Sequence, residues 1–520
     1  MGKGHPTSLT RRTVLRATTG TVAAAATGES LRAASSAVGA DEDRPAFREL
    51  DAKIRAGMAR YGVPGVAVGL LNRGVEYVRG YGVTNVDYPV DVDGDTVFRV
   101  ASTTKTFTGT AVMRLVEAGA MRLDDRVRTY LPDFRTSDPS VAERVTVRQL
   151  LNHSAGWLGD DFQDTGQGDD AVARYVDGVA RLPQLTAPGT VFAYNNAALS
   201  VAGRLVEVVT GTPYETALRG LLLDPLGLAH SRFFADEVIG FNVAAPHTVV
   251  DGRAVVEPSF YRLPRGLNPA GGLISSARDQ LRYARFHLGN GTVPGGSSRL
   301  LTQRSLLTMR SRHGPGGTLF VELDGMGVSW MLRPSAEGVR VVQHGGDLPG
   351  QHSGFLLVPD RGFALTMLTN SEGGPALLSQ FFVDDWALRR FAGISNLPAQ
   401  PRALSGRELA PYVGDYTGGQ VGPDGVLREF TFGLAAERGR LVARFDGQVG
   451  FQLTFYRPDH VLVLVDESGQ PVARANFLRG GDGRVAWLRF GGRLYLHGPV
   501  GTGRGTRRMP LLPTVLPYQG

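Results

Sequence analysis

The chain is 520 residues long and 42% apolar, enough for one large domain and a smaller one around sizeable cores, which excludes disorder as its global state. Of its formal charge of +7, the first 40 residues carry +4, because Lys3, Arg11, Arg12, Arg16 and Arg32 face only Glu29; the remaining +3 contains no basic run and points to no nucleic-acid partner. With no cysteine there is no disulfide framework, Cys-ligated metal or thiol nucleophile, and no stretch approaches the roughly 20 apolar residues of a stable membrane span.

At the N-terminus Thr10-Arg11-Arg12-Thr13-Val14-Leu15-Arg16 precedes a weakly apolar Ala/Thr/Gly stretch over 17–28. This arrangement resembles a bacterial twin-arginine export signal, with a cleavage region near Val38-Gly39-Ala40, and implies a secreted or envelope-associated protein. A helix is predicted over 47–61, followed by two β-rich runs, 63–71 and 75–81, around Asn72-Arg73-Gly74: a hairpin. After a short run at 96–100, Phe107, Ala111, Val112, Leu115 and Val116 recur at helical spacing until Gly119, predicting a buried helix over 102–118 with Ser102 in its first turn. Between about 125 and 310, helical patterns such as 197–210 alternate with long Gly/Pro/Asp loops; β character returns at 340–344 and 363–368, and a closing helix is expected over 376–391. The stretch 393–405, with Pro398 and Pro401, reads as a linker. Beyond it, β-rich runs at 441–445, 452–456, 460–465 and 485–490, with Asp424-Gly425, Asp446-Gly447 and Asp482-Gly483 as turns, predict a small antiparallel β domain over 406–520.

Only Lys3, Lys53 and Lys105 among the 56 basic residues are lysines, so arginine supplies nearly every ordinary positive charge. Arginine keeps its proton, whereas a desolvated lysine can serve as a general base, which singles out Lys105. It follows Ser102 by three residues, one helical turn, so the amine can reach the hydroxyl. Tyr194-Asn195-Asn196 supplies a phenol able to relay a proton and an amide able to orient the lysine and a substrate amide, just before the helix near residue 197. Residues 340–343 read as a short strand into His344-Gly345-Gly346, where two glycines let backbone approach a ligand and the following amide, that of Asp347, can donate to an oxyanion. Each tripeptide by itself also suits an ordinary structural role; the discriminating feature is the set.

The set 98–105 (Phe-Arg-Val-Ala-Ser-Thr-Thr-Lys), Leu150-Leu151-Asn152-His153-Ser154-Ala155-Gly156, Tyr194-Asn195-Asn196, Pro269-Ala270-Gly271-Gly272-Leu273 with Ser275-Ser276-Ala277-Arg278-Asp279, and His344-Gly345-Gly346 resembles the serial landmarks of the class C β-lactamase and DD-peptidase family, across about 45–392. The tail, with Leu409-Ala410-Pro411-Tyr412-Val413-Gly414-Asp415-Tyr416, resembles the lipocalin-like β domain often appended to such hydrolases. The resemblance implies an α+β fold: a five-stranded antiparallel sheet flanked by helices, an all-helical lobe, and a small antiparallel barrel-like domain. It further implies that Ser102 is acylated, that Lys105 and Tyr194 handle protons, that Asn196, His344, Gly345 and Gly346 bind substrate, and that the NH groups of Ser102 and Asp347 form the oxyanion hole. Which of Lys105 and Tyr194 is the acylation base stays open.

One departure bears on substrate. Class C β-lactamases have Lys-Thr-Gly where this chain has His344-Gly345-Gly346, which removes a fixed charge and a hydroxyl that grip a carboxylate. The expected activity is therefore amide or peptide cleavage of the D-amino-acid peptidase or DD-carboxypeptidase kind. An esterase or acyltransferase comes next, then a β-lactamase; a non-catalytic binder of peptidoglycan or β-lactam is the rival outside the enzymes. No cofactor or metal is expected, the substrate is a small molecule or peptide, and cell-wall material is the contact that the family suggests. Trp157 reads as a core residue or a cleft wall, no Gly-x-Ser-x-Gly elbow is present, and the ten histidines are scattered rather than spaced as zinc ligands.

Overall fold

The expected hairpin is present: β1 (Gly65–Asn72) and β2 (Val75–Gly82) pair antiparallel around Arg73 and Gly74, whose φ values of 49° and 91° suit a two-residue hairpin turn. The structure, a computed structural model, describes residues 44–445, 448–465 and 470–498; the export-signal stretch and the Asp446-Gly447 turn lie outside them. β1 reads as an unbroken apolar run because both its faces are buried. Val66, Val68 and Leu70 join Leu50 and Ile54 of helix α1 (Arg44–Tyr61) in one core, while Ala67 and Leu71 join the other.

Two short strands, β3 (Gly325–Met326) and β4 (Met331–Arg333), extend the five long strands to seven, in the order β2-β1-β7-β6-β5-β4-β3, with β5 Val341–Leu348, β6 Gln351–Val358 and β7 Phe363–Thr369. All neighbours are antiparallel. On one side lies the larger core, holding helices α2 (Thr104–Glu117), α3 (Asn196–Thr210) of the helical lobe and α4 (Ala277–Leu288). Gly69 of β1 lets α4 come close, since a Cβ there would stand 3.0 Å from the Ala277 carbonyl. On the other side, α1 and α5 (Gly374–Phe382) cover the sheet.

The closing helix is shorter than expected: α5 ends at Phe382 and a wide-turned segment, Leu388–Ala392, follows after a break. The buried guanidinium of Arg333 donates to the Phe382 and Val383 carbonyls, and Asn396 also donates to Val383, so these acceptors are unavailable to a next helical turn. Residues 393–405 then cross to the barrel with backbone bonds from Arg402 to Phe455 (2.8 Å) and from Leu404 to Gly439 (3.2 Å).

Eight strands close the C-terminal barrel: β8 Gly414–Val421, β9 Leu427–Glu437, β10 Arg440–Phe445, β11 Gln448–Arg457, β12 His460–Leu464, β13 Ala473–Arg479, β14 Val485–Phe490 and β15 Arg493–Gly498. Closure comes from β8 pairing with β15. Tyr416, Phe432, Phe451, Phe477 and Phe490 fill the interior. Barrel and sheet domain belong to one compact unit from Ala46 onward.

Candidate active site

Ser102 sits in a 3₁₀ turn, Ala101–Thr103, that feeds α2. The preceding residue, Ala101, is held at φ 47°, a conformation costly for alanine that the surroundings enforce. Ser353 of β6 ties the turn down, its hydroxyl donating to the Val100 carbonyl (2.7 Å) and bonding Thr103 Oγ1 (2.9 Å). Gly346 permits this closeness: a Cβ there would lie 2.1 Å from the Val100 carbonyl oxygen.

α2 is poor in strong helix formers, with Thr104, Thr106, Thr108 and Thr110 buried along it. Those hydroxyls anchor it. Thr104 accepts from the Leu273 amide (3.1 Å), Thr108 donates to the Pro269 carbonyl (2.7 Å) and meets Tyr214 (2.8 Å), and Thr110 meets Tyr283 (2.7 Å). One turn after Ser102, fully buried Lys105 brings Nζ to 2.9 Å from Ser102 Oγ and donates to the Ala270 carbonyl at 2.6 Å. Glu215 steadies the Ala270 loop by accepting from Asn268 (2.6 Å) and from both Nε and NH2 of Arg265. Desolvation, helped by the nearby Arg493 charge, drives the Lys105 pKa well below the usual lysine range. Its charged form is therefore disfavoured relative to an exposed lysine.

Tyr194 is buried, with its hydroxyl bonded to Ser102 and its pKa raised by burial, so the phenol keeps its proton at neutral pH. The His153 ring stacks on it at 4.5 Å, Lys105 Nζ lies 5.1 Å from its centroid and His344 at 6.2 Å. Asn195 caps α3 by accepting from the Ala198 amide (2.8 Å), which turns Tyr194 and Asn196 into the cleft. Asn196 Nδ2 donates to Asp160 Oδ1 (2.9 Å); because a carboxylate only accepts, this fixes which way the amide faces.

β5 runs straight through His344-Gly345-Gly346 rather than ending before it, and β4 covers it only up to Gln343, leaving residues 344–348 as an edge on the cleft. The Asp347 amide lies on that edge, and its half-exposed carboxylate pairs with the buried His352. Nδ1 of His344 faces the Gly345 carbonyl (2.7 Å) and so carries the hydrogen, leaving Nε2 a bare acceptor. Burial and the Lys105 charge push the His344 pKa down to about 3. A neutral imidazole rather than a fixed positive charge thus stands on this edge.

The cleft around these groups holds about 560 Å³. Trp157, Leu158, Phe162, Phe260, Leu263 and Phe382 give it largely apolar walls; Trp157 is a core residue, 1% exposed, with one edge on the cleft. All the residues singled out from sequence, Ser102, Lys105, Tyr194, Asn196, His344, Gly345, Gly346 and Asp347, come together here except that Lys105 lies just behind the wall. Asp160, His153 and Arg493 were not singled out. His153 lay inside a motif, whereas Asp160 and Arg493 are 333 residues apart and only the fold joins them. Among the described residues no group of three His, Cys, Asp or Glu could hold a metal ion.

A serine and a lysine on one helical turn, a tyrosine from a helical lobe and a strand edge opposite define a penicillin-binding type of serine hydrolase. The Beta-lactamase family model matches residues 50–381, and the chain belongs to that family. Penicillin-binding protein 4 of Amycolatopsis lactamdurans is 37% identical over 363 residues, 68% of this chain and 93% of that protein. Among solved structures, SurE superposes with a TM-score of 0.66 at 26% identity, covering 87% of this chain and 99% of its own, and has also been solved with D-Leu. D-amino acid amidase of Ochrobactrum anthropi SV3, complexed with L-phenylalanine amide, gives a TM-score of 0.51 at 26% identity over 62% of this chain and 91% of its own. Among the described residues no helix is long and apolar enough to cross a membrane.

Proposed function

We propose that the protein is an exported amide hydrolase that cleaves D-amino-acid amides or peptides through an acyl-enzyme on Ser102. The observation that carries this reading is the desolvated Lys105 amine 2.9 Å from Ser102 Oγ. Ser102 Oγ attacks the carbonyl carbon while its proton passes to Lys105 Nζ. The amides of Ser102 and Asp347 receive the oxyanion. Collapse breaks the C–N bond as Tyr194 gives its proton to the leaving nitrogen and regains one from the Lys105 ammonium. Water then attacks the ester carbonyl, again losing its proton to the base, and the acid leaves with Ser102 restored. The protonated state of Tyr194 and the lowered pKa of Lys105 favour the lysine as the acylation base.

The substrate reading rests on charge. Arg493 is paired with Asp160, His344 is neutral and Arg262 is largely exposed, so the described cleft walls offer a carboxylate no buried, uncommitted arginine. That favours an amide without a carboxylate over penicillin or a C-terminal dipeptide. D-Leu in one solved neighbour and the D-amino acid amidase support a D residue on the acyl side. Export rests on the Arg11-Arg12 segment. The test is a turnover panel of D- and L-leucine p-nitroanilide, p-nitrophenyl butyrate and nitrocefin. Preference for the D-anilide supports the reading; preference for the ester or for nitrocefin transfers the substrate to those classes.

A further inference from the structure

The barrel reaches into the catalytic site. Its β14–β15 turn, Gly491-Gly492, lies against the Tyr194 backbone: the Tyr194 amide donates to the Gly492 carbonyl at 2.8 Å, and a Cβ on Gly492 would stand 3.1 Å from Tyr194 Cβ and 2.7 Å from Leu319. Gly492 also has φ 77°, so glycine suits both conformation and space. The next residue, Arg493, places its guanidinium 4.7 Å over the Tyr194 ring and forks onto Asp160, with Nε to Oδ2 at 2.9 Å and NH2 to Oδ1 at 3.2 Å. Asp160 Oδ1 in turn receives the Asn196 amide. From its other side the barrel grips the same segment, Val421 donating to the Asp160 carbonyl (2.8 Å) and accepting from the Phe162 amide (2.9 Å).

We propose that Arg493 is a positioning residue of the hydrolytic site, acting through Asp160 on Asn196 and directly on Tyr194, so that the barrel is a working part of the active site. The inference rests on the acyl-enzyme reading of Ser102. The charged and titratable groups around Lys105 are Arg493 and Asp160, with His153, His344 and Tyr194 beside them. Arg493 repels the protonated amine and Asp160 attracts it. Removing them therefore moves the Lys105 titration in opposite directions.

The experiment uses the full chain, D-leucine p-nitroanilide, and the variants Arg493→Gln, Arg493→Lys, Asp160→Asn and the control Arg428→Gln, an exposed barrel arginine paired with Asp424. Folding is checked by circular dichroism and thermal melting. Arg493→Gln is expected to lower kcat by about 10²-fold, with little change in KM, and to move the acid limb of the kcat/KM profile to higher pH. Asp160→Asn moves that limb to lower pH. Arg493→Lys keeps the limb near its wild-type place but recovers only part of kcat, since a lysine cannot fork. A merely structural arginine would lower the melting temperature and leave the limb where it is. Folded Arg493→Gln or, if that fails to fold, folded Arg493→Lys and Asp160→Asn with wild-type kcat and pH profile overturn the proposal while the acyl-enzyme reading stands. Wild-type protein without Ser102-dependent turnover of the anilide, p-nitrophenyl butyrate or nitrocefin removes both.

Discussion

At Lys105 burial and function oppose each other. Burial lowers the pKa of this amine in the folded chain relative to the unfolded one, so the folded state binds fewer protons than the unfolded one across the interval between the lowered pKa and the usual lysine value. Stability contributed by this group therefore rises with pH through that interval. Wild type is expected to gain urea-midpoint stability relative to Lys105→Met as pH goes from 6 toward about 9.5. A constant difference would mean that the amine stays charged in the fold. Lys105→Arg, which cannot release its proton, should lower kcat by at least about 10²-fold, and Tyr194→Phe by about 10²-fold or more in amide cleavage with a smaller loss for p-nitrophenyl esters, whose leaving group needs no proton. That Ser102 and Lys105 share one helical turn was legible from their three-residue spacing, and that Tyr194 stands with them was expected from the resemblance of the whole set. Their protonation was not, because it depends on burial and on Arg493, which spacing along the chain does not reveal.

Elements that are buried on both faces or joined by tight turns were the most legible. The β1–β2 hairpin and α2 follow from apolar runs, the Arg73-Gly74 turn and Gly119. The break after α5 was hidden because its cause, Arg333, lies about 50 residues away. In the barrel, β10, β11, β12 and β14 were anticipated from their β-branched and aromatic runs, whereas β8, β9, β13 and β15 intersperse Gly, Arg, Asn and Glu among the inward Tyr416, Phe432, Phe477 and Tyr495, which breaks up the β-rich signal. In the β5 edge the two glycines differ. A methyl on Gly346 meets the Val100 carbonyl at 2.1 Å, while one on Gly345 meets only the Ser353 carbonyl at 3.2 Å. Gly346→Ala should destabilise by about 1–3 kcal/mol and cut acylation sharply, with Gly345→Ala much milder in thermal melting and turnover. Equal effects would show that close approach to the nucleophile turn is not what Gly346 supplies.

In the whole molecule, the two domains are joined by buried polar contacts rather than by a loose tether. Glu322, in the short strand Val321–Leu323 that pairs with Gly317–Leu319, accepts from Tyr456 (2.8 Å), Arg457 (2.5 Å) and Arg474 (2.5 Å) of the barrel, and the Arg474 amide donates to the Phe320 carbonyl (2.8 Å). Glu322→Ala leaves the largely buried Arg474 without its carboxylate and should cost about 3 kcal/mol in chemical denaturation, read with circular dichroism and tryptophan fluorescence. No loss would show the joint to be incidental. Such a joint could not be read from composition, which registers only a Pro-rich stretch between two domains. The central claim is covalent chemistry at Ser102. Intact-mass spectrometry of the full chain after a p-nitrophenyl alkylphosphonate and, separately, a fluorescent penicillin tests it most directly, with folded Ser102→Ala alongside. A single adduct from the phosphonate, mapping to the Ser102 peptide and absent from Ser102→Ala, with weaker or slower penicillin labelling, is the predicted result; folded wild type that takes neither probe, or an adduct that survives Ser102→Ala, would contradict it.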